Sequence, residues 1–408
     1  ENLRAHVAFL ASDELEGRLT GTQGEQLALE YIQQAFEGIG LEPAGTNNFI
    51  QAFDFTWKIK PEEDVYLRWE LDGNPIDAKA WPVSGSGDGE LSAELLFMGF
   101  GINAPDAGYN DYEMIQDLGN RIVLIQLGEP EVSNPHADFS AWTALERARY
   151  AQRAGAAAVV FLPGPDNERL DKEINPRVSA LPIPVWYAEE YPKEAKIAHL
   201  RTALHAETRT GHNVAGFINN GAAYTLILGA HYDHLGYGEV GSLHRGEPAI
   251  HNGADDNASG TALLIELARY LRKEGPKELN YLCIAFSGEE LGLLGAKAFT
   301  AADLLPKYQS TAMFNMDMVG RLEEDDALIV NGAGTSPRWE TLLDSLRPKH
   351  LKIKTTASGV GPSDHTAFYL EDMPVLHFFT GTHSDYHRPE DDADKLNYPG
   401  MVQVGDYM

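Results

Sequence analysis

Apolar runs of strand length alternate with polar turns and helical patterns from Gly211 to the end of the chain. Their length and flanking turn residues favour strands. The predicted strands are 214–218, 224–228, 280–286, 311–314, 327–330 and 375–379. After the second of them, Leu264, Leu267, Ala268 and Leu271 recur at helical spacing. This part of the chain therefore predicts an α/β fold.

The first 205 residues show two other patterns. Residues 1–45 carry apolar positions at helical spacing, with Gly38 and Gly40 as stop signals. Further on, short β-like runs alternate with turns rich in Gly, Pro, Asn and Asp. The predicted elements there are strands at 65–71, 95–100 and 121–127, a helix at 141–154 and a strand at 157–162. We therefore expect a β-rich domain, 61–205, inserted into a domain formed by 1–60 and 206–408.

Imidazole and carboxylate side chains follow four of the predicted strands, at the point where each strand ends. In chain order they are His231 and Asp233, then Glu289 and Glu290, then Asp317, and finally His383, Asp385 and His387. Ligands of open α/β sheets bind just outside the carboxyl ends of the strands. We therefore expect these side chains to converge in space, although they are far apart in the sequence.

The residue types in this group point to a metal-dependent hydrolase. Imidazole and carboxylate without thiolate form a ligand set that suits zinc or a similar divalent ion. His231 and Asp233 face the same way on an extended segment, so Asp233 can hold the second nitrogen of His231. The adjacent Glu289 and Glu290 suggest that one carboxylate binds metal and the other acts as a base. The alternative is a solvated acidic rim on an acidic protein.

Charge and composition exclude several other classes. The chain carries 61 acidic and 32 basic residues, a net charge of −29, which argues against nucleic acid or an anionic membrane as a partner. No apolar run approaches the roughly 18 residues that span a bilayer. The one cysteine, Cys283, lies in an apolar run and is predicted to be a buried, inert thiol.

Six segments resemble those of the co-catalytic zinc aminopeptidases, the family that includes glutamate carboxypeptidase II and transferrin receptor. They read GAHYDHLG, HNGADDNASG, FSGEELGLLG, NMDMVGR, GPSDHTAF and HSDYHRPEDDADKL, in the family's order across residues 229–396. The opening segment ASDELEGRLTGTQGEQLALEYI is also similar to the start of the family. The resemblance is to bacterial-type aminopeptidases that carry an inserted protease-associated (PA) domain.

The resemblance implies a site with two zinc ions, although other divalent ions also suit it. The implied ligands are His231, Asp255 and Asp317 for one ion, and Asp255, Glu290 and His387 for the other. Asp255 would bridge the two ions, and the peptide bond between Asp255 and Asp256 would be cis.

Three further roles follow from the same resemblance. Glu289 is implied to activate the metal-bound water as general base, and Asp233 to orient His231. Tyr386 would donate a hydrogen bond to the developing oxyanion. Arg388 follows the last ligand where many family members have Thr, but no implied ligand is missing.

The implied fold is a three-layer αβα domain of the zinc-peptidase and phosphorylase-like type, with a mixed, mostly parallel central sheet. The β-rich insert falls where the family often has the PA domain, which would narrow the active-site entrance. The implied activity is removal of N-terminal residues from peptides with a free N-terminus. The alternatives are a carboxypeptidase like glutamate carboxypeptidase II, a glutaminyl cyclase and a non-catalytic receptor-like protein.

The chain begins at Glu1 without a signal-like stretch, so we expect an exported protein, periplasmic or extracellular, whose signal segment is absent from this chain. The sequence does not show which substrate side chains are preferred or what the oligomeric state is. The role of Arg321 is also left open, because this residue either reaches substrate or pairs with a carboxylate. His234 and His251 lie close to the implied ligands. The acidic run 390–394 is interpreted as a solvated loop.

Overall fold

A computed structural model describes residues 1–115, 117–302 and 304–408 of the 408-residue chain. The chain divides into two compact units. The large unit consists of Glu1–Phe55 and Arg209–Met408, and the insert unit of Thr56–Thr208. These bounds lie a few residues from the predicted ones.

The helices and strands are numbered in chain order. The helices are α1 (Asn2–Leu10), α2 (Gln23–Ile39), α3 (Ala144–Arg153), α4 (Gly260–Lys273), α5 (Leu294–Ala301), α6 (Trp339–Leu346), α7 (His365–Tyr369) and α8 (Tyr398–Tyr407). The strands are β1 (Glu42–Pro43), β2 (Ile50–Pro61), β3 (Tyr66–Leu71), β4 (Asn74–Asp77), β5 (Ala80–Pro82), β6 (Gly89–Phe97), β7 (Asn103–Ala104), β8 (Tyr109–Asn110), β9 (Ile122–Gln126), β10 (Ala158–Leu162), β11 (Val185–Ala188), β12 (Ile197–Thr202), β13 (Leu204–Ile218), β14 (Thr225–His231), β15 (Asn280–Phe286), β16 (Ser310–Met316), β17 (Ala327–Asn331), β18 (Lys352–Thr355) and β19 (Val375–Phe379).

The sheet of the large unit is mixed. Its strand order is β1-β13-β15-β14-β16-β19-β17-β18, and β2 also pairs with β13. The central strands β15, β14, β16 and β19 are parallel to one another. On either side, β13 and β17 run antiparallel to their central neighbours. The central strands are almost wholly buried, as expected of parallel strands with both faces covered.

Helices cover both faces of this sheet. In β15, Leu282 and Ile284 belong to an apolar core that includes residues of α5 and α7. Cys283 and Ala285 belong to a second core, with residues of α1, α2, α4 and α8. Because successive strand residues point to opposite faces, the two cores lie on opposite sides of the sheet. The predicted mixed α/β fold is thereby confirmed.

The insert unit is built on one eight-stranded sheet, with the order β4-β3-β12-β6-β9-β10-β11-β5. Strands β9 and β10 are parallel, and α3 connects them and buries Ala148 and Ala151 in the core of the unit. The predicted strand–helix–strand unit is therefore present. That the insert unit is a PA domain stays a prediction. In the described part of the chain, no helix is long and apolar enough to cross a membrane.

Candidate metal centre

Buried imidazoles and carboxylates gather at the carboxyl ends of the central parallel strands of the large unit. His231 is the last residue of β14, and Asp317 directly follows β16. His231 Nε2 lies 3.3 Å from Asp317 Oδ1 and 3.3 Å from Asp256 Oδ1. One donor atom from each of these three residues lies within 4.8 Å of the others, so they offer one set of metal ligands.

Asp256 is shared with a second set on its other side. Asp256 Oδ2 lies 3.3 Å from His387 Nε2, which in turn lies 3.2 Å from Glu290 Oε2. His234 Nδ1 donates to Glu290 Oε1 at 2.7 Å, and donor atoms of His234, Asp256 and Glu290 also lie within 4.8 Å of one another. One carboxylate thus stands between two imidazole–carboxylate pairs.

The position predicted for Asp255 is therefore occupied by Asp256, and that prediction needs correction. Asp255 Oδ1 accepts hydrogen bonds from Gly320 N at 2.6 Å and Ser259 Oγ at 3.1 Å. Asp255 Oδ2 lies 3.2 Å from His383 Nε2. A Cβ at residue 320 would stand 2.6 Å from Asp255 Oδ1, so glycine there permits this contact. Asp255 faces the supporting loops, away from the cluster.

An irregular turn, Ala254–Ser259, produces this difference between two adjacent aspartates. Asp391 Oδ2 accepts from the backbone N of Asp255 at 2.9 Å and of Asp256 at 3.0 Å. Asn257 Nδ2 donates to the carbonyl of Met316 at 2.9 Å. The cis peptide bond lies between Asp256 and Asn257, one residue later than predicted.

Each of the two imidazoles beside Asp256 is oriented by a backbone carbonyl. His387 Nδ1 donates to the carbonyl of Gly241 at 2.8 Å, and His231 Nδ1 to that of Asp233 at 3.2 Å. The carboxylate of Asp233 is farther from His231 Nδ1, at 3.7 Å. A hydrogen bond at Nδ1 fixes the tautomer and leaves Nε2 free to bind a metal. The carbonyl oxygen of Asp233 is thus the nearer partner of His231 Nδ1, and the orienting role of the Asp233 carboxylate stays a prediction.

The carboxylate of Asp233 contacts the segment that carries Glu289. Its Oδ1 accepts from the backbone N of Glu289 at 3.2 Å, and its Oδ2 from Thr20 Oγ1 at 3.1 Å. Glu289 therefore follows β15 at a fixed position next to the cluster. The ring of Tyr386 stacks on His387, with ring centres 3.8 Å apart.

The pKa values of two carboxylates of the cluster are shifted in opposite directions. Burial, together with the nearby charges of Asp317 and Glu290, raises the pKa of Glu289 well above its usual range, although His231 opposes the shift. Burial acts in the same direction on Asp256, but its contacts with His231 and His387 outweigh it and hold the pKa of Asp256 well below the usual range. A raised pKa suits a group that accepts and returns a proton, whereas a lowered one suits a ligand.

Residues 213–408 match the profile of Peptidase family M28. This match covers slightly less than half of the chain, and that part is similar to the family.

Several proteins to which the chain is similar are named aminopeptidases. The chain is 28% identical to Aminopeptidase YwaD of Bacillus subtilis over 330 residues, which are 75% of this chain and 65% of that protein. It thus spans slightly less than two thirds of that relative. It is 23% identical over 385 residues to the Probable lipoprotein aminopeptidase LpqL of Mycobacterium tuberculosis, covering 89% of this chain and 70% of that protein. Among solved structures, BSAP, a zinc aminopeptidase from Bacillus subtilis, is similar with a TM-score of 0.55 and 25% identity, covering 100% of this chain and 92% of that one.

Arg18, outside the M28 match, supports the centre and was missed by sequence reasoning. Its side chain is fully buried and donates to the carbonyls of Leu10, Tyr232, Asn252 and Gly253. It thereby joins the opening segment to the backbone of Tyr232, next to His231, and to residues 252–253, which precede Asp256. A lone arginine in a polar segment is ordinarily a surface residue, so the residue type gave no indication of this role. The one available indication was the similarity of the opening segment to the family.

Arg321 and Asp391 form a second support within the M28 match. Arg321 Nη2 donates to Asp385 Oδ2 at 3.1 Å and to Asp391 Oδ1 at 3.0 Å, so of the two interpretations the carboxylate pairing is correct. The interpretation of 390–394 as a solvated loop is wrong for Asp391, which is fully buried. His251 bonds to Ser242 and to the carbonyl of Ala249, whereas His234 is part of the cluster.

Proposed function

We propose that this protein is a zinc metallo-aminopeptidase that hydrolyses the N-terminal bond of peptides at a centre for two metal ions. The observation that supports this most directly is the shared carboxylate of Asp256. Each of its oxygens lies 3.3 Å from the Nε2 of a different histidine, and each histidine lies beside a further carboxylate. A carboxylate placed between two imidazole–carboxylate pairs is suited to bridge two cations.

The residues present fit such ions. His231, Asp256 and Asp317 would hold one ion, and Asp256, Glu290 and His387 the other. We prefer His387 to His234 as the second imidazole, because its Nδ1 bonds a carbonyl and its Nε2 faces both carboxylates. His234 is instead hydrogen-bonded to Glu290 and would orient it. Buried carboxylates are stable when they are paired or when they coordinate metal ions, and this cluster contains several.

The bound ions would polarise the carbonyl of the scissile bond and lower the pKa of water at the centre. Glu289, with its raised pKa, accepts the proton of the attacking water and passes it to the leaving amine. Burial and the nearby carboxylates raise the pKa of Tyr386, so its hydroxyl stays protonated and donates to the carbonyl oxygen as negative charge develops.

The direction of cleavage is supported by the names of the relatives, YwaD and BSAP, and by the acidity of the site. A free N-terminus is cationic and is attracted to a cluster of carboxylates. Recognition of a C-terminal carboxylate, as in glutamate carboxypeptidase II, requires cationic side chains facing the substrate. Arg321, close to the cluster, is already paired with Asp385 and Asp391.

An assay with three substrates tests the proposal. Leucine p-nitroanilide, its N-acetylated form and a peptide that ends in glutamate are offered to the zinc-loaded protein, with and without a chelator. We expect release of p-nitroaniline from the unblocked substrate only, and loss of this activity with the chelator. Cleavage of the N-acetylated substrate alone, or removal of the C-terminal glutamate alone, would exclude an aminopeptidase. Activity that persists without metal would exclude the metal centre.

We also propose that the protein is exported, which its similarity to the lipoprotein aminopeptidase LpqL supports. Cell fractionation followed by antibody detection tests this. Recovery of the protein in the cytosolic fraction alone would contradict it.

A further inference from the structure

The insert unit contains a cavity of about 1030 Å³ that has no part in the proposed reaction. Its walls include the loops that follow the parallel strands β9 and β10, and the start of α3. Crevices at the carboxyl ends of parallel strands are common ligand sites, and this volume is near the upper end of the usual range for small-molecule pockets. The cavity lies entirely within the described residues of one unit.

A buried arginine lies in the wall of the cavity. Arg147 stands in the first turn of α3 and is only 6% exposed. Its Nε donates to the carbonyl of Trp142 at 2.7 Å, but its Nη1 is buried and, among the residues described, has no hydrogen-bond partner. An unpaired buried donor is unfavourable, the more so when it is charged. The N-terminus of α3 adds a positive potential at the same wall, so both features favour an anionic group.

The rim of the cavity has the opposite charge. Four exposed carboxylates belong to the two loops: Glu129, Glu131, Asp166 and Glu168. The wall of the cavity also includes the aromatic residues Phe100, Phe139 and Trp142. A simple anion would be repelled by the rim, and a simple cation would leave Arg147 unpaired. A ligand with a negative group, a positive group and an apolar side chain would complement Arg147, the acidic rim and the aromatic residues together.

We propose that this cavity binds a free α-amino acid with a large apolar side chain, in its zwitterionic form. The carboxylate pairs with Arg147 and the N-terminus of α3, the ammonium group faces the acidic rim, and the side chain packs on the aromatic rings. This assignment does not depend on the peptidase function proposed above.

Isothermal titration tests the assignment in the zinc-loaded Glu289→Gln chain, which should keep its metal but not hydrolyse L-leucinamide. The ligands are L-leucine, L-leucinamide, which lacks the carboxylate, and N-acetyl-L-leucine, which lacks the ammonium group. Arg147→Met should weaken L-leucine binding at least about tenfold, because it removes a charged hydrogen-bond donor. L-leucinamide has no carboxylate to pair with Arg147, so it should bind more weakly than L-leucine, and the same substitution should leave its binding unchanged. Arg149→Met, on the same helix but outside the cavity wall, is the matched control and should bind L-leucine as the unmodified chain does.

A second variant covers the case in which Arg147→Met does not fold. Glu168→Gln, at an exposed position, should weaken binding of L-leucine and L-leucinamide but not that of N-acetyl-L-leucine. Binding that is unaffected by either substitution, or lost only when Asp256 is replaced by Asn, would place the amino acid at the metal centre and overturn the assignment. Absence of saturable L-leucine binding by the unmodified chain would overturn it as well.

Discussion

Both units of the chain have parallel strands whose carboxyl ends meet at one edge of a sheet. The two edges differ in whether their acidic side chains are buried or exposed. In the large unit, the carboxylates of Asp256 and Asp317 are buried beside imidazoles. In the insert unit, the carboxylates of Glu129 and Glu168 are exposed, and the buried ion is Arg147. The topology determines where a ligand is expected, whereas burial and partners determine which charge it carries.

The largest expected effect lies in the catalytic chemistry of the large unit. Glu289→Gln removes the group that accepts the proton, so we expect kcat to fall about 100- to 10,000-fold. The metal content should not change, because Glu289 is not among the proposed ligands. Steady-state kinetics and metal analysis of the purified variant measure both. The control is Glu324→Gln in an exposed loop, and a similar loss of kcat there, or a loss of metal in the first variant, would contradict the assignment.

The next effect distinguishes the two adjacent aspartates. Asp256→Asn should weaken metal binding more than about 100-fold, and Asp255→Asn only about tenfold, since Asp255 acts through neighbouring residues. Competition with a zinc chelator of known affinity measures the two constants. Equal losses would mean that the geometry of the 254–259 turn does not separate a ligand from a supporting residue.

The two units differ in the charges at their sheet edges, but we expect a buried core leucine to contribute similarly to the stability of either unit. Leu282 in β15 and Leu124 in β9 are both fully buried in strand cores. Replacing either with Ala should lower the free energy of unfolding of its own unit by about 2–5 kcal/mol. Five of the six tryptophans lie in the insert unit, so fluorescence in denaturant titrations reports mainly on Leu124→Ala. A loss below about 1 kcal/mol at either site would contradict the described cores.

The smallest expected effect is an absence of reaction at Cys283. Burial raises the pKa of this thiol to about 12, and it lies inside β15. We expect no labelling by a thiol reagent in the native protein and complete labelling in denaturant. Because Cys283 is the one cysteine of the chain, its labelling reports on the large unit, where Leu282→Ala acts. Rapid labelling of the native protein would contradict the burial.

Features coded by local sequence were predictable. The strands at 280–286 and 375–379 have the predicted bounds, because long apolar runs next to turn residues are a strong local signal. In contrast, β13 begins at Leu204, and only its last part, 214–218, was predicted. Its first half carries polar residues on exposed faces and has no apolar run.

Features decided by distant partners were not predictable. Asp255 and Asp256 are chemically identical neighbours, and the turn that separates them is held by Asp391, 136 and 135 residues further along the chain. The wall of the insert-unit cavity likewise combines two loops with the start of α3. No local pattern contains that information.

The buried Arg18 has a consequence for protein engineering. The segment 213–408 contains every proposed metal ligand, yet the backbone next to His231 and the backbone before Asp256 are joined by a side chain that lies 214 to 235 residues earlier. A minimal enzyme cut at the family boundary would lose this joint, as well as the contact from Thr20 to Asp233. When the half that contains the proposed metal ligands is transplanted or circularly permuted, the segment with Arg18 and Thr20 therefore has to be kept with it.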